Sequence, residues 1–484
     1  MAAKESGAFY TPDPVAATLV RWAVRNSNDR LLDPSCGDGR FISRHPESTG
    51  VERNEEAARA ARQRAPSAVV HQGDFFEWAE QSTERFDCAA GNPPFIRYQT
   101  FAGDVRRRAL RLCDEFGATF SGLTASWAPF LVVTASLLRP GGRMAFVVPA
   151  SIGHAPHAAP LIDYLVANFD AVRIVPIREK LFPHLSEDCW LLFAEGFGGS
   201  SRDIHFAPME RFREGDIPPR VAELVPVDEW RGLWNRRLRP YLLKDSQRAT
   251  YQAVAKRPDT LRLGIAASVG IGYVSGANEF FHLRPSEAKH WRIPAEFLHP
   301  TVRNGRVLPP RALTARTIND WHRSDEPMLL LCIPKNADVP RTVSHYLDSP
   351  QGQKARQTYK CRNRNPWYCV PDVRVPEFFL TYMSGIAPSL VRNEAAATCT
   401  NALHAVHLHN GRDGGALLDA WDSTYVQLSC EIEGHALGGG MLKLEPGEAA
   451  RVVLPSPEAT SCLDETAIEG AVSTLRSWRH YGAG

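Results

Sequence analysis

The segment Asn92-Pro93-Pro94-Phe95 carries groups suited to chemistry on an amine. Its two prolines cannot continue a sheet ladder, so they fix a rigid loop just after a short apolar run at residues 86–91. In such a loop the Asn92 side-chain oxygen and the Pro93 carbonyl point in fixed directions, and both accept hydrogen bonds from one NH₂ group. Two aligned acceptors favour the pyramidal form of an amine conjugated to a heteroaromatic ring and stabilise the positive charge that develops on its nitrogen. Phe95 is suited to stack on that ring, so the loop predicts group transfer to an exocyclic amine.

Three earlier loops have residue types that suit a nucleoside. The turn that begins at Asp33 contains Gly37, and its glycines allow the main chain to approach a ligand closely. Glu52 lies nineteen residues after Asp33, where an acidic residue is placed to accept hydrogen bonds from ribose hydroxyls. Asp74 beside Phe75 suits the amino group and the ring of adenine. Because the GxGxxG and Walker spacings are absent from the sequence, the pattern favours a nucleoside cofactor without phosphates, of which S-adenosylmethionine is the common one.

Short apolar strands alternate with helical patterns over the first two hundred residues. We predict strands at 30–33, 69–74, 86–91, 144–148, 172–177 and 190–194, and helices at 54–64, 126–138 and 161–169. This alternation indicates right-handed βαβ units and a mostly parallel sheet, hence a doubly wound α/β fold. Ligands bind such sheets beyond the carboxyl ends of the strands, which is where the loops described above lie.

The motifs in their order along the chain resemble the gamma-class, Taq-type N6-adenine DNA methyltransferases. The resemblance rests on TPDP (11–14), LDPSCGDGRF (32–41), GVERNE (50–55), GDFF (73–76), GNPPF (91–95) and PGGRMAFVVP (140–149). It implies a Rossmann-like class I methyltransferase domain followed by a mixed α+β target-recognition domain. It covers the first 200 residues strongly, with a GxxxGxNxF pattern read from Gly272, Gly276, Asn278 and Phe280, and it is weak past residue 380.

The resemblance also implies roles for single residues. S-adenosylmethionine would be bound at its methionine part by Tyr10, Thr11, Pro12 and Asp33, at its ribose by Glu52 and at its adenine by Asp74. Asn92 and Pro93 would hold the target amine, and Phe95 would stack on a flipped adenine. Phe182 matches a later aromatic of the family that supports the flipped base. Because only about ten residues separate Gly39 from Gly50, the usual first helix is expected to be very short.

Charge is distributed unevenly along the chain. The 484 residues carry 56 lysines and arginines against 54 acidic residues, a net charge of +2. Residues 1–100 are slightly acidic, whereas residues 301–374 contain thirteen lysines and arginines against six aspartates and glutamates. A basic segment of this kind is expected for phosphate contacts.

Basic and aromatic side chains supply the candidate DNA contacts. One group follows the proline loop and the other lies in residues 354–368; an unpartnered basic loop or a solvated helix face is the alternative for each. The candidates are Arg106, Arg107, Lys354, Arg362, Arg364 and Trp367. We therefore predict a methyltransferase domain at residues 1–245 and a target-recognition domain at residues 246–484.

These features predict a site-specific DNA adenine-N6 methyltransferase of a restriction-modification or phage-defence system. Its expected partners are double-stranded DNA and, in some such systems, a separate restriction nuclease or defence subunits. A glutamine-N5 protein methyltransferase, a non-catalytic DNA-specificity subunit and a cytosine-N4 methyltransferase stay as alternatives. No metal site, membrane span or secretory signal is predicted, and the expected compartment is the cytoplasm.

Overall fold

The computed structural model describes residues 10–183, 185, 187–437, 439–461 and 464–481, with His157 in its main chain alone. The Cα positions divide the chain into two compact units, Met1–Leu242 and Leu243–Gly484. Whether these units divide the function as predicted for residues 1–245 and 246–484 stays a prediction.

The first unit is built on one sheet of nine strands. They are β1 (Leu31–Asp33), β2 (Ser48–Glu52), β3 (Val69–Gln72), β4 (Phe86–Gly91), β5 (Leu138–Pro149), β6 (Phe169–Val175), β7 (Cys189–Phe197), β8 (Asp203–Phe206) and β9 (Glu223–Pro226). Their order is β3-β2-β1-β4-β5-β7-β6-β8-β9. The first five strands in this order run parallel, whereas β7 pairs antiparallel with both β5 and β6. The predicted doubly wound α/β fold is confirmed.

Helices cover this sheet. They are α1 (Asp13–Ala23), α2 (Glu55–Arg64), α3 (Phe75–Gln81), α4 (Gly103–Glu115), α5 (Trp127–Ser136), α6 (Ala159–Asn168) and α7 (Val227–Gly232). Apolar residues of α1 pack with those of β1, β4, β5 and β7 in one buried cluster. Between β1 and β2 there is only a 3₁₀ turn, Ile42–Arg44, so the expected short first helix is confirmed.

Two of the functional loops lead directly into helices that their last residues cap. The Asn54 side chain accepts a hydrogen bond from the Ala57 N–H and begins α2. In the same way, the Asp74 side chain accepts one from the Glu77 N–H, 3.1 Å away, and begins α3. The loops are therefore held at both ends by regular structure.

The segment Pro140-Gly141-Gly142 lies just before the predicted strand at 144–148, and in the structure it is part of β5, which runs from Leu138 to Pro149. Its pairing with β4 is irregular there: Phe86 lies opposite Leu138, and Cys88 lies opposite Arg143. Residues 139–142 thus lie between two paired positions, and Gly141 has a φ of +76°.

The second unit is mixed α and β with short elements, as predicted for this half. Its strands are β10 (Leu261–Arg262), β11 (Ala267–Ile271), β12 (His282–Leu283), β13 (Leu298–Val302), β14 (Ala312–Leu313), β15 (Leu329–Leu331), β16 (Phe378–Thr381), β17 (Met383–Ser384), β18 (Leu390–Asn393), β19 (Thr398–Cys399), β20 (Leu403–Leu408), β21 (His435–Leu437), β22 (Met441–Lys443) and β23 (Val453–Leu454). They form sheets in the orders β11-β20-β16-β18-β14, β12-β15-β13-β19 and β17-β22-β21, together with the pair β10-β23.

The helices of the second unit are likewise mostly short, and the longest are α8 with 11 residues at its start and α20 with 13 residues near its end. They are α8 (Asp245–Ala255), α9 (Leu263–Ala266), α10 (Asn278–Phe281), α11 (Pro285–His290), α12 (Ala315–Arg323), α13 (Arg341–Leu347), α14 (Pro350–Arg356), α15 (Tyr359–Arg362), α16 (Gly414–Trp421), α17 (Thr424–Glu433), α18 (Pro446–Ala449), α19 (Pro457–Ser461) and α20 (Glu465–Ser477). Among the helices of the described residues, none is long and apolar enough to cross a membrane.

Candidate active site

The candidate site lies where the strand order reverses. β1 pairs with β2 on one side and with β4 on the other, and the chain builds outward from this point in both directions. Asp33 is the last residue of β1 and Gly91 is the last residue of β4. Ligands of doubly wound sheets bind in the crevice beyond such a switch point. The structure therefore brings the predicted cofactor loop and the proline loop to the same edge of the sheet.

Asp33 is a buried acid at the floor of this crevice. Its side chain is 1% exposed, and its Oδ1 accepts a hydrogen bond of 3.1 Å from the Ser35 N–H. Burial, with a smaller contribution from the charge of Glu52, raises the pKa of Asp33 to about 8. Its Oδ2 has no hydrogen-bond partner among the described residues. A buried oxygen in this state suits a ligand that brings a cation or an N–H donor.

Gly91 makes this arrangement of Asp33 possible. A Cβ atom on Gly91 would lie 2.6 Å from Asp33 Oδ1 and 3.1 Å from the ring of Phe146. Because atoms cannot approach so closely, a residue other than glycine would push β4 away from the acid. Steric space therefore requires a glycine before the proline loop, which could not be read from the sequence.

Glu52 fixes the loop after β1 to the start of α2. Its two carboxylate oxygens accept hydrogen bonds from the N–H groups of Gly37 (2.9 Å) and Asn54 (2.6 Å). Gly37 has φ of +53°, a conformation that favours glycine. Each oxygen of Glu52 keeps a second lone pair, so the predicted ribose contact is compatible with these bonds and stays a prediction.

The N-terminal segment lies on the same loop. The Tyr10 ring is exposed, and a Cβ atom on Gly37 would be in ordinary contact with it at 3.5 Å. The Arg40 guanidinium lies 5.3 Å from the centre of that ring and donates a 2.9 Å hydrogen bond to the carbonyl of Thr11. Pro12 follows as the residue before α1. The structure therefore places Tyr10, Thr11 and Pro12 beside the predicted cofactor loop.

Asp74 and Phe75 differ in their surroundings. Asp74 is partly exposed, and it uses one oxygen to cap α3. Phe75 is 3% exposed and stacks on Phe130, with ring centres 5.1 Å apart. The Phe75 ring is thus held in the core by α5, and its predicted contact with adenine stays a prediction.

The loop Asn92–Phe95 is tied to its neighbours on both sides. The Ser35 hydroxyl donates a 3.2 Å hydrogen bond to the Asn92 carbonyl, which joins this loop to the loop after β1. On the far side, the Ser126 hydroxyl donates to the Pro94 carbonyl and accepts a 3.0 Å hydrogen bond from the Ile96 N–H. Neither serine was predicted to hold this loop. The only signal in the sequence is the place of Ser126 as the first residue of the predicted helix at 126–138.

The two aromatics predicted to stack on the target base belong to one cluster. Phe182 is buried in the cluster that joins α1 to the sheet, and Phe95 packs against the same cluster while staying partly exposed. Residues nearly ninety positions apart in the sequence are thus brought into one apolar region. Base stacking by either ring stays a prediction.

The arginines of α4 are not free cations. The Arg106 guanidinium donates to the Gly122 carbonyl, and Arg107 forms an ion pair with Asp104. The neighbouring Arg108 pairs with Glu80 at 3.1 Å. Asp104 and Glu80 offset part of the positive charge of this helix, and DNA contact by Arg106 and Arg107 stays a prediction.

In the second unit, two of the four predicted DNA contacts have structural partners. The Arg364 guanidinium donates to the carbonyls of Val274 and Ser275. Trp367 is partly buried against Phe280, with ring centres 5.6 Å apart. Both side chains hold residues 359–368 against the segment that contains the glycine pattern. Their contact with DNA stays a prediction. The carbonyl partners of Arg364 lie some ninety positions away and could not be read from the sequence.

Lys354 and Arg362 are open to solvent, and their contact with DNA stays a prediction. They lie on α14 and α15, and α15 also carries the exposed ring of Tyr359. A cleft of about 730 Å³ runs between β11 and α15, and Tyr359 and Lys360 line it. Gly276, with φ of +86°, allows this approach, because a Cβ atom there would lie 2.6 Å from Cβ of Lys360. The surface formed by α14 and α15 is called the basic surface below.

Comparisons with known proteins agree on the class of enzyme. The family described as "Type II methyltransferase M.Eco57I, C-terminal domain" matches residues 235–479, about half of the chain, and "Eco57I restriction-modification methylase" matches residues 43–182. The type II methyltransferase M.XamI of Xanthomonas campestris pv. amaranthicola is 24% identical, over 94% of this chain and 86% of its own. M.AccI of Acinetobacter calcoaceticus is 18% identical, over 83% of this chain and 76% of its own.

One solved structure that the chain matches is that of the type IIG restriction endonuclease BpuSI. It is 14% identical and superposes with a TM-score of 0.41 over 96% of this chain. This chain spans 59% of the BpuSI chain.

Proposed function

Because this chain belongs to the family of type II methyltransferases that carry the M.Eco57I C-terminal domain, we propose that it is a site-specific DNA adenine-N6 methyltransferase. The observation that carries the proposal is the hydrogen bond from Ser35 to the Asn92 carbonyl. This bond joins two loops at the switch point of the sheet. One carries the buried Asp33 carboxyl, whose Oδ2 has no hydrogen-bond partner among the described residues, and the other is the rigid loop whose oxygens can accept hydrogen bonds from an amine. A cofactor and a target amine that occupy these two loops are neighbours.

The residues of the first loop fit S-adenosylmethionine. Asp33 offers a buried carboxyl oxygen that needs a donor, and Tyr10, Thr11 and Pro12 border the glycine turn beside it. Glu52 and Asp74 close the crevice as acceptors toward ribose and adenine. When bound, this cofactor supplies a methyl group activated by its positively charged sulfur. The protein has to hold the amine nitrogen in line with that methyl group and exclude water from it.

Residues of the proline loop bind and orient the target amine. The Asn92 side-chain oxygen and the Pro93 carbonyl accept its two N–H groups, which concentrates the nitrogen lone pair and stabilises the positive charge that forms during attack. Phe95 and Phe182 offer apolar ring surface to the base. A base amine in a duplex is out of reach, so the adenine has to be extruded into this region.

The test is incubation of the full chain with labelled S-adenosylmethionine and mixed-sequence double-stranded DNA, followed by mapping of the methylated base. We expect N6-methyladenine at one short sequence. Label on cytosine N4 or on a glutamine side chain would redirect the proposal to those chemistries, and label on none of them would refute it. We further propose a role in restriction-modification or phage defence, next to a separate nuclease.

Reversing charge on the basic surface is expected to weaken DNA binding. The double variant Lys354→Glu with Arg362→Glu should bind DNA at least about tenfold more weakly at low salt, because both side chains are exposed and suited to phosphates. The slope of log affinity against log salt should become shallower by about two, since each phosphate contact contributes about 0.9. Fluorescence anisotropy with labelled DNA at several salt concentrations measures both quantities.

Two controls separate this effect from others. Arg59→Glu with Arg85→Glu makes the same change of net charge at exposed positions of the first unit and should leave the slope unchanged. Arg364→Ala should instead lower the free energy of unfolding by about 1–3 kcal/mol, because two carbonyls lose a charged donor. An unchanged slope in the Lys354/Arg362 variant would remove the basic surface from the proposed DNA contacts.

A further inference from the structure

The proline loop Asn92–Phe95, called the catalytic loop below, contains two adjacent prolines and depends on other residues for hydrogen-bond donors. Pro93 and Pro94 have no N–H, so the loop has no donors of its own at two successive positions. Hydroxyl groups from outside the loop donate to its carbonyls instead: Ser35 to Asn92 and Ser126 to Pro94. These are the carbonyls on either side of the Pro93 carbonyl, the proposed acceptor for the target amine.

Ser126 makes the larger contribution to this arrangement. It is 0% exposed and forms three hydrogen bonds with residues 94–96: its hydroxyl donates to Pro94, its oxygen accepts from the Ile96 N–H, and its own N–H donates to the Ile96 carbonyl. Both main-chain bonds to Ile96 measure 3.0 Å. Such a set fixes the peptide planes just beyond Pro93.

The position of Ser126 immediately before α5 makes this use of its hydroxyl informative. A serine immediately before a helix usually accepts a hydrogen bond from an N–H of the first turn and stabilises the helix. Ser126 occupies that position before Trp127, yet its side chain makes no such capping bond. Its hydroxyl serves the catalytic loop instead. A local preference set aside in this way is expected at functional sites.

We propose that Ser126 is a positioning residue for methyl transfer, whose hydroxyl holds the Pro94 carbonyl and so aims the Pro93 carbonyl and Asn92 at the target amine. The inference rests on the proposed function of that loop. The base of the arrangement is rigid, since α5 is buried along most of its length, with Leu131 and Trp127 in the core. Loss of the hydroxyl should therefore loosen the loop and leave the helix in place.

The test compares Ser126→Ala, Ser126→Thr and a matched control, Ser136→Ala. The control removes a serine hydroxyl that donates to the Val133 carbonyl at the other end of the same helix. We measure the single-turnover transfer rate on whichever substrate the wild type methylates, at saturating cofactor and substrate, together with cofactor affinity. For Ser126→Ala the rate should fall about a hundredfold, as for a reacting group displaced by about 1 Å. Its cofactor affinity should stay within about twofold, because the change affects the rate step alone.

Ser126→Thr keeps the hydroxyl and should retain most of the rate, and Ser136→Ala should match the wild type. Hydrogen exchange in the full chain gives a second readout that needs no substrate. The Ile96 amide should exchange faster in Ser126→Ala than in the wild type and the control, because its acceptor is gone. If Ser126→Ala does not fold, Ser126→Cys replaces it, since its thiol has similar size and is a weak donor.

A wild-type rate in Ser126→Ala, or equal losses of rate and cofactor affinity, would overturn the inference. So would unchanged exchange at Ile96. The proposed function fails separately, through a wild-type enzyme that methylates something other than DNA adenine. In that case the Ser126 comparison still proceeds on the substrate that is methylated.

Discussion

Replacing Asn92 by alanine is expected to lower the rate of methyl transfer about a hundred- to a thousandfold, because removal of one preorganised group that stabilises developing charge has a cost of that size and no second side chain of the loop replaces it. Cofactor affinity should change by less than about threefold, since the predicted cofactor contacts lie on the loop after β1 and its neighbours. Single-turnover rates and equilibrium binding of S-adenosylmethionine measure the two effects separately.

Two further variants define what the Asn92 result means. Asn92→Asp keeps a side-chain oxygen of similar reach and should retain more activity than Asn92→Ala. Gln99→Ala removes an exposed amide a few residues beyond the loop and should leave the rate unchanged. If Asn92→Ala kept its rate within about tenfold of the wild type, the amine would not depend on this oxygen, and the mechanism proposed from preorganised acceptors would be wrong.

The strands and the loops of the first unit were predictable because their signals are local. An apolar run that ends at a glycine or an acid marks both the end of a strand and the edge at which ligands bind. β1, β4 and β7 lie within a few residues of their predicted positions. One residue can have both a structural and a predicted ligand-binding role: Asp74 caps α3 and is also the residue predicted to contact adenine.

Features that depend on distant partners were not predictable. The antiparallel insertion of β7 between β5 and β6 follows from sheet pairing, for which the sequence of β7 carries no mark. The ion pair of Arg107 and the carbonyl partners of Arg364 are visible only after folding, so both arginines looked like free cations. The sequence shows that a residue is basic. Whether that residue is available to bind phosphate depends on the partners that folding places next to it.

The serines around the catalytic loop illustrate the same limit on a smaller scale. Ser35 lies in a predicted motif, but its hydroxyl acts on a carbonyl 57 positions away. Two adjacent prolines in the sequence predict a rigid loop, but they do not indicate which residues hold that loop in place. The motif thus predicts which groups take part in the chemistry, and the tertiary structure shows which groups keep them in place.

Asp33 leads to the second large effect, a pH-dependent gain in stability when its charge is removed. Its pKa is about 8 in the folded protein against a usual value of 3.8, because the fold disfavours its ionised form. In the unfolded chain Asp33 loses its proton near pH 4, and in the cofactor-free folded protein it holds that proton until about pH 8. The wild type should therefore lose stability from this residue as pH rises across that window.

Asp33→Asn removes this loss, since asparagine does not ionise. We compare the free energy of unfolding of the variant with that of the wild type. The difference, variant minus wild type, should rise by about 1.4 kcal/mol for each pH unit, and by up to about 4 kcal/mol between about pH 5 and about pH 8. The new amide hydrogens lie in a buried position, which lowers the stability of the variant by about 1–3 kcal/mol at every pH and leaves the slope unchanged. Thermal or denaturant unfolding of both cofactor-free proteins across this pH range gives the difference directly.

Asp38→Asn is the matched control, five residues along the same loop. The Asp38 carboxylate forms ion pairs with Arg64 at 2.7 Å and Arg40 at 3.2 Å, so its neutralisation should bring no stability that grows with pH. S-adenosylmethionine should bind Asp33→Asn more weakly than the wild type, because the buried oxygen awaiting a cationic or N–H donor is gone. A flat difference between Asp33→Asn and the wild type across the pH range would show that Asp33 is ionised in the fold. Such a result would mean that water or a protein donor already satisfies this oxygen, and it would no longer point to the cofactor.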